Sequence, residues 1–159
     1  MVQTFKDSIE KIAYDTLEIT CYMFPLEDWE REDLEFDESS LGKKRALIEF
    51  DGAAEGAMII SPSPELFTAI AENMLGEDAI SEEDKDAALC EIGNIICGNT
   101  VPIFAENENI CYIRPPRLLE KGESADLLLS DKTKESLLIY MDEGVAEISI
   151  YYKNSRKDD

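Results

Sequence analysis

A carboxylate and a carboxamide interrupt an otherwise apolar helical run: Glu91 and Asn94, three positions apart in CEIGNIICGNT, residues 90–100, with Gly98 and Asn99 one turn further on. Asn is a mediocre helix former because its side chain competes for backbone hydrogen bonds, so two of them and a glycine in one helix call for a reason beyond helix stability. The chain contains no histidine. That removes Ser-His-Asp and Cys-His nucleophile pairs and any histidine general base, and leaves carboxylates, amides, Lys, Tyr, Cys or a partner's groups to carry chemistry.

Placing the residues at about 100° steps separates two faces of the helix. Ala88, Ile92, Ile95, Ile96 and Ile103 share the side expected to pack on a sheet. Glu91, Asn94 and Gly98 share a strip flanked by Ala87 and Val101, where side chains three apart project together. Taken alone, the pair is either a solvent-exposed couple that keeps a helix soluble or a site. The strip is small and uncharged apart from Glu91, and Asn94 adds nothing to helix stability, which favours a site. Asn99 points into the apolar face and is expected to be a buried amide satisfying backbone groups. Gly98 is expected to permit close approach of another backbone.

A length of 159 residues suits one compact domain, and a hydrophobic fraction of 44% is that of a globular chain. The 36 acidic against 15 basic residues give a net charge of −21. Such a field repels phosphate backbones and anionic membranes, and argues against a nucleic-acid or lipid-surface partner. Cys21, Cys90, Cys97 and Cys111 lack CxxC spacing, and without histidine they complete no zinc site, so they read as reduced, mostly buried thiols. The acidic stretches EDWEREDLEFDE and SEEDKD lack the ligand spacing of a calcium loop, and no metal of the protein's own is expected. The charged N-terminus lacks the apolar core of a signal peptide, and the expected location is the cytoplasm, with no membrane span.

Apolar spacing predicts a first helix over residues 3–24, stopped by Pro25. A polar, acidic surface connection follows to Lys44. Alternation predicts a hairpin, with strands at 44–50 and 55–61 and a turn near Asp51-Gly52. Ser63 and Pro64 open a helix that Gly76 closes, and Ser81 starts the long helix expected over 82–104. Beyond it, ENICYI reads as a strand ending at Pro115-Pro116, and ADLLLS, SLLIYMD and VAEISIYY as further apolar or alternating runs, the last two joined near Glu143-Gly144. This order predicts an α+β domain over residues 1–152, one mainly antiparallel sheet packed with N-terminal, middle and long helices, and a charged tail over 153–159.

The run Glu91-x-x-Asn94-x-x-x-Gly98-Asn99 resembles the signature of the CheC/CheX/FliY phosphatases of bacterial chemotaxis, which dephosphorylate the response regulator CheY. GAMIISPSPELFTAIAENMLGE is similar to the strand and helix before the signature helix in CheX-like proteins, and YIRPPRLLEKGE to the segment after it. CheC-type members carry two copies of the signature. Here the first helix offers only Glu10 with Ala13 and Glu18 with Cys21, so the single copy favours CheX.

The resemblance implies a hydrolase of two-component signalling, with Glu91 and Asn94 as the catalytic residues and Gly98 and Asn99 structural in the motif. It implies that Asn94 orients the attacking water at the receiver's aspartyl phosphate and that Glu91 pairs with the receiver's lysine. An amide accepts from and donates to one water without repelling the phosphoryl group as a carboxylate would. It implies no cofactor of the chain's own, the Mg²⁺ belonging to the phosphorylated receiver. The alternative is a non-catalytic receiver-binding or adaptor module of the same fold. CheX-like proteins are dimeric through their sheets, and SLLIYMDEGVAEISIYY is expected to leave unpaired backbone groups at an edge that a second copy would satisfy, making a homodimer.

Overall fold

The structure, a computed structural model, describes residues 4–32, 34–76, 80–106 and 108–154. Helix α1 (Phe5–Cys21) begins at a reciprocal cap: the Thr4 hydroxyl accepts from the Asp7 N–H at 3.0 Å, and the Asp7 carboxylate accepts from the Thr4 N–H at 3.2 Å. The expected start at residue 3 lies outside the described residues. The helix ends at Tyr22, left-handed at φ 57°, rather than at Pro25. Pro25 instead bridges Met141, and the Leu26 N–H donates to the Tyr140 carbonyl at 2.9 Å.

The acidic connection holds a short helix, α2 (Asp28–Glu32), and a 3-10 turn at Glu38–Ser40. It is fastened to the domain by Arg31, which donates to the Tyr14 hydroxyl at 2.8 Å and lies 4.9 Å from the centre of the Tyr140 ring. Strands β1 (Ala46–Gly52) and β2 (Ala54–Pro62) form the expected hairpin. Next come α3 (Pro64–Leu75), closed by left-handed Gly76, and α4 (Glu82–Thr100), continued by a 3-10 turn at Val101–Phe104. The chain finishes with β3 (Cys111–Ile113), β4 (Arg117–Leu118), α5 (Ala125–Leu128), β5 (Thr133–Met141) and β6 (Gly144–Asn154). Lys153 and Asn154 therefore belong to a strand, two residues past the expected limit of 152. The rest of the expected tail, residues 155–159, lies outside the described residues.

All strand pairings are antiparallel, in the order β3-β1-β2-β6-β5, with β4 on the same edge of β1 as β3. Phe50 faces Ile113 while Ala46 faces Leu118, so five steps on one strand oppose four on the other. The extra residue is absorbed at Arg114-Pro115-Pro116, where proline cannot donate to a ladder. The two halves share one plan. In each, a helix leads to a short segment that pairs with the outer strand of the other half's hairpin: β3 on β1 after α4, and Pro25-Leu26 on β5 after α1.

Alternation sends Ala46, Ile48 and Phe50 of β1, Met58 and Ile60 of β2, and Ile148 and Ile150 of β6 to one face. There they form the main core with Ile9, Ala13 and Leu17 of α1, Leu66 and Ile70 of α3, and Leu89, Ile92 and Ile96 of α4. The other face carries a smaller cluster of Leu47, Ala57, Ile59, Leu119 and Tyr151, against which Ala125 and Leu129 pack. ADLLLS is thus a helical turn and not a further strand. Ser124 caps it by accepting from the Leu127 N–H at 3.3 Å, and β1's outer edge is already occupied by β3 and β4.

The expectation for the C-terminal strands also changes. Strand β6 is internal, paired with both β2 and β5, so only β5 lies at an edge. That edge is closed at Tyr140, whose N–H donates to the Tyr14 hydroxyl at 3.1 Å and whose carbonyl is taken by Leu26. Helix α4 with its following turn is long and apolar enough, by length and composition, to cross a membrane. Its apolar content is accounted for by the core, where Ala88, Leu89, Ile92, Ile96 and Cys97 are buried.

Candidate functional site

Helix α4 is held at both ends. The Ser81 hydroxyl accepts from the Asp84 N–H at 3.1 Å, and Lys44, next to β1, reaches Glu82 at 2.9 Å and Asp86 at 2.8 Å. The two carboxylates hold the Lys44 ammonium above its ordinary range. At the far end Phe104 stacks on Phe50 with ring centres 5.7 Å apart and meets Phe5 at 5.4 Å and Tyr152 at 5.3 Å. Between these anchors Gly93 lies on the sheet, where a Cβ would come within 2.6 Å of Ile48 Cδ1. The position in α4 that makes the close approach is therefore Gly93, where a methyl would require the end of the Ile48 side chain or the helix to shift. Gly98 is not one: a Cβ there would meet Ile113 Cδ1 at an ordinary 3.6 Å and no backbone atom. A glycine in the middle of the buried arc, between Leu89 and Ile96, was the sequence signal for this contact.

The structure puts Glu91 on the exposed side of α4 and leaves Asn94 half-buried beside it. Among the described residues neither side chain has a hydrogen-bond or ion-pair partner. Neither Asn94 polar atom is sealed from solvent without a partner. A carboxylate and an amide are thus offered outward from a fixed helix, about 5–6 Å apart at their Cβ atoms by helix geometry.

Asn99 is exposed, contrary to the expected buried amide. The buried arc of α4 is centred on Leu89, Ile96 and Thr100, so Asn99 and Ile95 fall at its margin. Both line a groove of about 260 Å³ whose other wall is Ile12, Asp15, Thr16, Ile19 and Thr20 of α1. Ile103 is also not core: it lies in the 3-10 turn, where the helical phase is lost, and is 46% exposed.

Other features offer less. A hollow of about 520 Å³ lies elsewhere, among Leu26, Glu30, Glu35, Glu65 and the β5–β6 turn. Its lining is acidic, which disfavours an anionic ligand there. Burial pushes the Cys97 thiol up to about 12, with Cys111 adding to the effect, and burial does the same to Cys21, helped by Glu143. These thiols are poor nucleophiles. Among the described residues no group of three or more His, Cys, Asp or Glu side chains is placed to hold a metal. The strip offers no activated nucleophile. Its groups can bind and orient what a partner brings.

The family described as chemotaxis phosphatase CheX matches residues 45–142, more than half of the chain. No curated protein matches it. Among solved structures, a chemotaxis protein CheX from Desulfovibrio desulfuricans is similar, with a TM-score of 0.72 and 14% identity over 94% of this chain and 99% of that one. The CheX-CheY-BeF3-Mg²⁺ complex from Borrelia burgdorferi gives a TM-score of 0.65 and 21% identity over 96% of this chain and 100% of that one. FliY from Thermotoga maritima gives a TM-score of 0.57 and 16% identity over 98% and 93%. At these identities the likeness is one of fold.

Proposed function

Because the chain belongs to the CheX family of chemotaxis phosphatases, we propose that it hydrolyses the aspartyl phosphate of a CheY-like response regulator. In this reading Asn94 orients the attacking water and Glu91 anchors the receiver through its lysine. The supporting observation is the unpartnered Glu91 and Asn94 pair on the open side of a helix anchored at both ends.

A receiver's acyl phosphate lacks chiefly a water aligned with the leaving oxygen, because phosphoryl transfer depends on positioning and charge stabilisation more than on covalent help. Asn94 accepts a hydrogen bond from the water through its carbonyl oxygen and so aims the water's lone pair at phosphorus. The water oxygen bonds to phosphorus as the bond to the aspartyl oxygen breaks, the electron pair returns to the carboxylate, and inorganic phosphate carries away the water's protons. Glu91 and the receiver's lysine form a charge-assisted pair that fixes the distance. The Borrelia CheX complex contains CheY with BeF3 and Mg²⁺. By analogy the Mg²⁺ in this reaction belongs to the receiver. The reading places the chain in the cytoplasm, where receivers work, as a homodimer joined along the open part of β5, Lys134 to Leu138, with one Glu91/Asn94 site per subunit.

Phosphate release from phosphorylated receivers, measured with wild type and Asn94→Ala, tests the reading. Among the described residues Asn94 makes no hydrogen bond, so its loss should leave stability within about 0.5 kcal/mol of wild type. Dephosphorylation should fall to the receiver's own rate. Unchanged phosphate release by Asn94→Ala would move the active site elsewhere, and a wild type that binds receivers without accelerating hydrolysis would make the chain an adaptor.

A further inference from the structure

We infer that the groove between α1 and α4, walled by Ile12, Ile19 and Ile95, is the apolar half of the receiver-docking surface. It seats an aliphatic ridge beside the receiver's phosphorylated pocket, with Asn99 supplying a hydrogen bond at its margin. The inference rests on the receiver reading above and assigns it a surface.

Ile95 follows Asn94 directly and lies one turn from Glu91, so a partner whose lysine meets Glu91 also covers Ile95 and the α1 wall facing it. A specific protein contact buries about 800 Å² on each side, and weak signalling encounters somewhat less. Two side chains supply only a fraction of that. The groove is an adjoining surface able to supply apolar area: Ile19 is 77% exposed, and Ile12 and Ile95 line the same hollow. Polarity in the groove is limited. Asp15 is held by Lys11 at 2.6 Å, while Asn99 has no hydrogen-bond partner among the described residues. An apolar centre with a few oriented polar groups at its rim is the composition of a docking surface.

The test measures affinity for a CheY-type receiver loaded with beryllofluoride and Mg²⁺, and kcat and KM for the phosphorylated receiver. Ile19→Ser is compared with Leu127→Ser, which removes a side chain 80% exposed on α5, on the opposite face of the sheet. Ile19→Ser should weaken binding and raise KM by about tenfold, as expected for losing a buried Ile contact, with kcat preserved. Leu127→Ser should change neither. Equal affinity for Ile19→Ser and wild type, or a loss confined to kcat, would overturn the groove while leaving the Asn94 chemistry intact. A wild type that neither binds the loaded receiver nor accelerates hydrolysis would remove both.

Discussion

Adding one methyl at Gly93 tests how tightly the helix bearing Glu91 and Asn94 is seated. The new Cβ would lie 2.6 Å from Ile48 Cδ1, 3.4 Å from Ile48 Cγ1 and 3.5 Å from Ile60 Cδ1. Only the first contact is impossible. Ala in a helix interior is worth about 1 kcal/mol over Gly, and overpacking a full core costs about 1–3 kcal/mol, so Gly93→Ala should be destabilising by about 1 kcal/mol. Ile48→Val deletes the offending Cδ1 and alone should cost about 1 kcal/mol through the void it leaves. In the double variant the Ala methyl occupies that void. Stability should then return to within about 0.5 kcal/mol of wild type, a coupling of about 2 kcal/mol. Urea unfolding of the four proteins measures it. Strict additivity, with the double variant about 2 kcal/mol below wild type, would refute the contact as the determinant of how close α4 lies to the sheet. The single variant also bears on function. If Ile48 holds its place, reaching an ordinary 3.4 Å requires α4 to lift by about 0.8 Å at Gly93, next to Asn94. An error of about 1 Å in a water-orienting group costs on the order of a hundredfold in rate. Phosphatase activity should therefore fall in Gly93→Ala by more than its stability loss explains, and recover with Ile48→Val.

Glu91→Lys should abolish receiver affinity by like-charge repulsion whereas Glu91→Gln keeps a weaker hydrogen bond and partial activity; equal affinity for wild type and Glu91→Lys would rule out the anchor role. A dimer joined along β5 should be broken by Leu138→Pro, since the N–H at that position points away from β6 and its removal spares the internal ladder; sedimentation equilibrium should show a dimer for wild type at micromolar concentration and a monomer for the variant. The Asp126 carboxyl is held below its ordinary value by the Tyr151 hydroxyl, then by Lys134. A depressed carboxylate stabilises above its unfolded value, near 3.8, and that contribution is lost as pH falls through the lower folded value. Hydrogen-exchange protection in residues 119–129, corrected for the intrinsic rate at each pH, should thus fall in acid before that of the helix-side core, and at neutral pH in Asp126→Asn. Uniform protection of both faces across that range would count against the pinning.

Strong periodicity over enough residues made much of this legible from sequence. The β1–β2 hairpin, the α3 span from Pro64 to Gly76 and the Ser81 start of α4 each carried a pattern plus a punctuating residue, and two consistent signals leave little freedom. ADLLLS had neither length nor alternation to decide between strand and turn, and the answer came from an edge already occupied by residues far along the chain. The Glu91 and Asn94 strip was readable because exposure at the centre of an open face tolerates error in helical phase. Asn99 was not, because it sits where the buried arc ends, and the packing of α1 determines which side of that boundary is wet. Gly93 carried a local signal, a glycine within the buried arc, but its partner across the interface, Ile48, is one that no local pattern contains.

The pairing of β2 with β6 sets an order of events in the chain's own biogenesis. The β1–β2 and β5–β6 hairpins need only neighbours in sequence, but the central seam places Ala54 opposite Asn154 and Pro62 opposite Ala146. Closing a loop of that length carries an entropy cost before any contact offsets it. While the chain is being made, α4 can settle on β1 and β2, but α1 and α3 lack the β5 and β6 surfaces they pack on, and the seam cannot close until β6 has left the ribosome. Until then the outer side of β2 and the faces of α1 and α3 that meet β5 and β6 are uncovered, an aggregation hazard that lasts until β6 is made. Substitutions in β6 should therefore reduce yield in cells more than their equilibrium stability alone would suggest.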